Sequence, residues 1–191
     1  MSTTLLTAWI IGFVIKAEPL STGAMRLTLD NGQMGIVENS QNIKLSYLLK
    51  PSKQDGFQND GIAFKKNQKD IITEIRDARI RIAINAVWEK DPTSSLVLAF
   101  YRHYGSEAKR QLIHQNPYLA ITTIPTPTAY ELHPTQPDFS KFSRIAEDAT
   151  KNSKPVDLVI GDDPSEIIYI QYSQSAFKNP PNSFHRFSGE D

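Results

Sequence analysis

Met25-Arg26-Leu27-Thr28-Leu29-Asp30-Asn31-Gly32-Gln33-Met34-Gly35-Ile36 is the stretch on which the fold turns. Met25, Leu27 and Leu29 alternate with Arg26 and Thr28, the period of a strand with one buried face. Asn31-Gly32 follows at once, and a two-residue type I′ turn asks for positive φ at both central positions. Closing the chain there predicts Leu29 opposite Met34 and Leu27 opposite Ile36, so that turn and apolar pattern share one register.

Upstream, Ala8 to Ile15 reads as a strand buried on both faces, ended by turn residues at Glu18-Pro19 and Ser21-Thr22-Gly23. The apolar run Leu5 to Ile15 is about half the ~20 residues needed to span a bilayer. No lysine or arginine precedes it, as an export signal would require. The expectation is a soluble, cytoplasmic chain with no membrane contact.

Downstream, Ile43 to Leu49 reads as a strand, and residues 51–68 read as a long polar loop closed by Lys65, Lys66 and Lys69. Asp70 to Asp77 reads as a short helix. From Ala78 the period becomes two, with Ala78, Ile80, Ile82, Ile84, Ala86 and Trp88 facing one way. Leu96 to His103 is the expected antiparallel partner, with Trp88 opposite Leu96 and Ile84 opposite Phe100. Glu107 to His114 follows as a short helix and Tyr118 to Ile124 as a strand. Tyr130 to Leu132 is a short extended piece among prolines. Asp138 to Ala149 is the strongest helix: Phe139, Phe142, Ile145, Ala146 and Ala149 form one stripe, with Asp138 as N-cap. Val156 to Ile160 and Glu166 to Tyr172 read as a last strand pair around Gly161-Asp162-Asp163-Pro164.

The fold class expected is α+β, dominated by antiparallel sheet, with two or three short helices. One β-rich domain over residues 1–173 and a tail over 174–191 fit the length of 191 residues. The segment Trp9 to Val37, with Trp9-Ile10-Ile11-Gly12-Phe13-Val14 and Met25-Arg26-Leu27-Thr28-Leu29-Asp30, resembles the opening of an OB-fold. That resemblance implies a partly open five-stranded barrel of a kind that often binds oligonucleotides or oligosaccharides. A ferredoxin-like unit is the alternative architecture, with Ile71 to Gly105 and Asp138 to Tyr172 supplying its helices and strands.

The 21 basic and 21 acidic residues cancel, so no net field recruits polyanions from a distance. The chain has no cysteine, which excludes disulfides, thiolate metal sites and thiol nucleophiles. His103, His114, His133 and His185 show no ligand spacing with one another, and there is no phosphate-binding glycine loop or nucleophile elbow. No cofactor, metal or catalysis is expected.

The candidate site is a basic-aromatic sheet face of Arg79, Arg81, Tyr101 and His103, joined by Lys65 and Lys66. Guanidinium groups beside an aromatic ring can neutralise phosphate and stack a base, although antiparallel sheets also show water a polar face with no ligand at all. The expected function is a non-catalytic binding module, an RNA- or single-stranded-DNA-contacting subunit of a ribonucleoprotein or nucleoprotein complex. Two alternatives stay open. One is a protein–protein adaptor without nucleic-acid contact, suggested by Phe177, Phe184 and Phe187 in the tail. The other is a metal-dependent hydrolase built on Asp157, Asp162 and Asp163, residues that ordinary turn chemistry also explains.

Overall fold

A computed structural model describes residues 8–38, 60–89, 118–124 and 128–174. The strands expected at 43–49 and 96–103, the helix expected at 107–114 and the tail expected beyond residue 173 fall wholly or mostly outside these residues. The chain divides into two compact units between Ile80 and Arg81.

The first unit begins with β1 (Ile10–Gly12) and β2 (Val14–Pro19), separated only by Phe13, and continues with β3 (Met25–Leu29) and β4 (Met34–Val37). Then come β5 (Asp60–Lys66) and the first half of β6 (Ile72–Glu89). β2, β3 and β4 form one antiparallel meander, and β1, β5 and β6 pair antiparallel in that order. A parallel bridge from Ile36 to Ile71, with the Ile36 amide donating to the Asp70 carbonyl at 2.8 Å, brings the end of β4 to the start of β6. If β1–β2 is counted as one kinked strand, the five strands neighbour one another in the circuit 1-2-3-5-4-1. Every strand contributes to the core inside that circuit: Val14, Leu27, Leu29, Val37, Ile62, Phe64 and Ile72.

The hairpin forms, but one residue away from the expected register. Thr28 faces Met34 and Leu27 faces Gly35. The loop holds three residues: the Leu29 amide donates to the Gln33 carbonyl at 2.8 Å, the Gly32 amide donates to the Leu29 carbonyl at 2.9 Å, and only Gly32 has positive φ, +80°. This is a type I turn with a left-handed glycine, the three-residue hairpin rather than the two-residue one. Side chains decide it. Asp30 Oδ1 accepts the Phe13 amide at 2.9 Å, Asn31 Nδ2 donates to the Ile11 carbonyl at 3.1 Å, and Asn31 Oδ1 accepts the Gln33 amide at 3.0 Å. Sheet parity then sends Met34 outward, 46% exposed, and turns Gly35 and Val37 inward. Gly35 fits because a Cβ there would meet the Ile72 side chain at 2.7 Å.

Two other expectations are corrected here. Residues 60–66, read as loop, form β5, and residues 72–77, read as helix, belong to β6. Phe64 against Ile75 and Ile62 against Asp77 are cross-strand neighbours. Burying Phe64 and Ile72 in a shared core contributes roughly 1.5–3 kcal/mol each, more than the few tenths per residue by which local helix propensity differs.

The second unit holds the rest of β6, then β7 (Tyr118–Ile124), β8 (Ala129–Leu132), helix α1 (Phe139–Asn152), β9 (Val156–Ile160) and β10 (Ile167–Tyr172). β6 pairs with β7, which sets Trp88 opposite Leu119 and Ile84 opposite Thr123, and β7 pairs with β8. β9 and β10 form the expected antiparallel pair, and β9 also lies beside β6. A parallel bridge from Glu131 to Glu166 connects β8 with the residue before β10. Phe142, Ala146 and Ala149 of α1 pack with Ile82, Ile84, Leu119, Ile121, Leu132, Leu158 and Ile170 into one core. The amide of Ala86 donates to Thr150 Oγ1 at 2.8 Å, and Trp88 Nε1 donates to Glu147 Oε1 at 2.7 Å, which ties the polar side of the helix to β6.

The helix is the one predicted, but its start differs. Asp138 has φ of +60° and its side chain caps nothing. Its backbone carbonyl instead accepts the amides of Lys141 at 2.9 Å and Phe142 at 3.0 Å. Ser153, also left-handed, ends the helix before Pro155. Among the described residues α1 is the one helix, so the architecture is α+β with mostly antiparallel sheet. No described helix is long and apolar enough to cross a membrane.

Candidate functional site

Sheet parity builds the candidate site in the first unit. Because Leu27, Leu29 and Val37 turn inward, the opposite face of β2-β3-β4 carries two cross-strand rows. One row is Lys16, Thr28 and Met34; the other is Glu18, Arg26 and Ile36. Arg26 and Lys16 are exposed, and a bulge between Val14 and Lys16 leaves Ile15 39% exposed beside them.

The turn between β5 and β6 borders this face. Asn67 Oδ1 accepts the amides of Lys69 at 2.9 Å and Ile71 at 3.1 Å, and Asp70 is held at φ of +62°. Lys66 reaches across, donating to the Met34 carbonyl at 2.8 Å and pairing with Asp70 at 2.8 Å. The face and its margin thus carry four cations (Lys16, Arg26, Lys66, Lys69) against three carboxylates (Glu18, Glu38, Asp70), a surplus of one positive charge.

Lys16 and Glu18 pair at 2.7 Å, and Lys16, with a weaker contribution from Arg26, holds Glu18 below the usual carboxylate range. Ion pairs this exposed contribute little stability. The Lys16–Glu18 pair can therefore open at small cost to stability.

Of the described residues expected to form the site, Lys66 alone borders this face. Lys65 pairs with Glu74 at 3.1 Å, and its ammonium lies 4.4 Å from the centroid of the Trp9 ring. Arg76 bonds the same Glu74 at 3.1 Å. Arg79 belongs to the first unit and is half-buried, with its Nη1 donating to the Ala78 carbonyl at 3.2 Å. Arg81 belongs to the second. Its φ of +53° interrupts the regular strand, and its amide donates to Asp157 Oδ1 at 3.0 Å. Tyr101 and His103 lie outside the described residues.

The three aspartates considered for a metal have separate duties. Asp157 is buried and accepts from the Arg81 amide, from Gln171 Nε2 at 3.0 Å and from Ser173 Oγ at 2.5 Å. Asp163 accepts the Ser165 amide at 2.8 Å, while Asp162 is exposed. No group of three potential metal ligands occurs among the described residues.

Sequence reading missed Met34 and Ile36 as surface partners of Thr28 and Arg26 because the hairpin register was set one residue away, and it missed Lys16 because the first strand was ended at Ile15. The alternation of Arg26 and Thr28 with the leucines already marked the polar side of β3; only its neighbours on β4 were misassigned. No family model, curated protein or solved structure matches the chain.

Proposed function

We propose that this chain is a non-catalytic binding module whose first unit is an OB-like barrel that contacts single-stranded nucleic acid across the β2-β3-β4 face. What supports the reading is the strand circuit 1-2-3-5-4-1, with a parallel contact between its third and fifth strands. In five-stranded Greek-key barrels of this kind, the face of strands 2 and 3 and the loops 1–2 and 4–5 are where oligonucleotides bind. In this chain those elements are β3 with β4, residues 20–24, and residues 67–71. The β2-β3-β4 face and its β5–β6 margin carry a surplus of one positive charge, although the whole chain is neutral.

Phosphate contacts release counterions, so the reading makes a quantitative demand. Binding of a fluorescent single-stranded oligonucleotide is measured as a function of salt, for the native chain and for a Lys16→Ala, Arg26→Ala double variant. The native chain binds at low salt and weakens as salt rises. The variant loses about 1.4 from the log–log salt slope, at roughly 0.7 per single-strand phosphate contact. Absence of binding at 50 mM salt, or an unchanged slope in the variant, removes the proposal.

A further inference from the structure

Asn31-Gly32 is the chain's single Asn-Gly pair, and it sits at the tip of the β3–β4 hairpin. A glycine after an asparagine is a chemical liability as well as a turn signal. With no side chain of its own, glycine leaves its amide nitrogen free to approach the asparagine side-chain carbonyl carbon and displace ammonia. Asparagine counts among the thermolabile residues.

The structure engages every group that this reaction needs. The Gly32 amide, the nucleophile, donates to the Leu29 carbonyl at 2.9 Å. Asn31 Oδ1 accepts the Gln33 amide at 3.0 Å, and Asn31 Nδ2, the leaving group, donates to the Ile11 carbonyl at 3.1 Å. Each end of the half-buried side chain faces a partner that the other end could not satisfy, so the amide orientation is fixed. Asp30 Oδ1 accepts the Phe13 amide alongside, in space left by Gly12, where a Cβ would lie 2.7 Å from that oxygen. Asp30 and Asn31 together thus clamp the turn to β1 and to the residue after it.

The products of deamidation do not fit this clamp. Exchanging the side-chain NH2 for an oxygen removes the donor to the Ile11 carbonyl and sets a carboxylate against it, beside Asp30. An isoaspartyl linkage also adds a methylene to the backbone of a three-residue loop closed by the Leu29 amide on the Gln33 carbonyl at 2.8 Å.

We propose that Asn31 is a covalent modification site held latent by the fold: the closed hairpin shields it from deamidation, and opening of the turn exposes it to a change the hairpin does not take back. In the open turn, hydroxide removes the Gly32 amide proton and the nitrogen bonds to Asn31 Cγ. The Cγ–Nδ2 bond breaks, and ammonia leaves with a proton from water. Water then opens the cyclic imide at either carbonyl, leaving aspartate or isoaspartate. Water and hydroxide are the only co-reactants, and nothing here depends on what the β2-β3-β4 face binds.

The test follows deamidation of the full chain near neutral pH, in native buffer and in guanidinium chloride, by peptide mapping with mass spectrometry at Asn31. The folded chain reacts at least about tenfold more slowly than the unfolded one, and Asp30→Ala raises the native rate severalfold. Hydrogen exchange at the Gly32 amide, the same N–H that must be freed for attack, is suppressed to the same extent. Asn31→Asp, which reproduces the aspartyl product, unfolds at a lower denaturant concentration than the native chain. Equal rates in the folded and unfolded chains overturn the proposal. So does a Gly32 amide that exchanges freely while Asn31 stays protected, a native rate untouched by Asp30→Ala, or an unchanged midpoint in Asn31→Asp.

Discussion

Two polar corners of this protein treat their carboxylates in opposite ways. At the β3–β4 turn of the first unit, Asp30 Oδ1 takes the Phe13 amide, and both ends of the Asn31 side chain bond backbone groups. At the end of β8 in the second unit, Glu131 spends one oxygen on His133 and leaves the other without a donor. The first arrangement locks backbone and selects a register. The second leaves electrostatic work undone inside the fold, and unfinished interactions of that kind are where binding free energy can be gained without building new structure.

That contrast can be broken by substitution. The largest effect belongs to Asp157, the second unit's own example of a carboxylate fully used. Asp157→Ala strands the Arg81 amide, Gln171 Nε2 and Ser173 Oγ, and is expected to lower stability by about 3 kcal/mol in denaturant unfolding. Asp30→Ala strands the Phe13 amide and releases the three-residue loop, at a cost of about 2 kcal/mol. If either variant unfolds at the native denaturant midpoint, the claim that these carboxylates are structural fails.

Glu131→Gln moves stability the other way and by less. Glu131 binds its proton more tightly in the folded chain than in the unfolded one, because burial raises its pKa. Its contribution to stability is therefore complete below the unfolded glutamate value of about 4.3 and is lost as pH rises through the folded value. The variant removes the charge that causes this loss. Its gain is expected to be on the order of 1 kcal/mol at neutral pH and to vanish below about pH 4. A pH series of melting temperatures that runs parallel for native and variant proteins sinks the assignment.

Much of the strand pattern was readable from residue order. Tyr118–Ile124, Val156–Ile160 and the Phe142, Ala146, Ala149 stripe of α1 appear where apolar periodicity puts them. The failures share one physical cause, which is that local preference was outweighed by contacts distant in sequence. Ile71, Ile72 and Ile75 have helical spacing, yet their neighbours in space are Ile36 and Phe64. β5 was hidden because Gly61, Lys65 and Lys66 surround only three apolar residues. Asn31-Gly32 announces a hairpin, but Asp30 bonding Phe13, seventeen residues earlier, fixes how many residues the loop holds.

For the second unit's polar corner, the extended piece expected at Tyr130 to Leu132 includes Glu131 but stops short of His133. Sequence offered no sign that Glu131 would be sealed from water, since that depends on what packs over it. Likewise, the polar side of β3 was visible, but its pairing with Met34 and Ile36 awaited the true register.

In the second unit, strand pairing runs from β8 through β7, β6 and β9 to β10, and among the described residues the return to β8 rests on the single bridge at Glu131. A loop of strands sewn shut by one stitch has a seam, and here the stitch and the unsatisfied carboxyl belong to the same residue. Closure of that loop of strands and burial of that carboxyl are therefore both read at one residue.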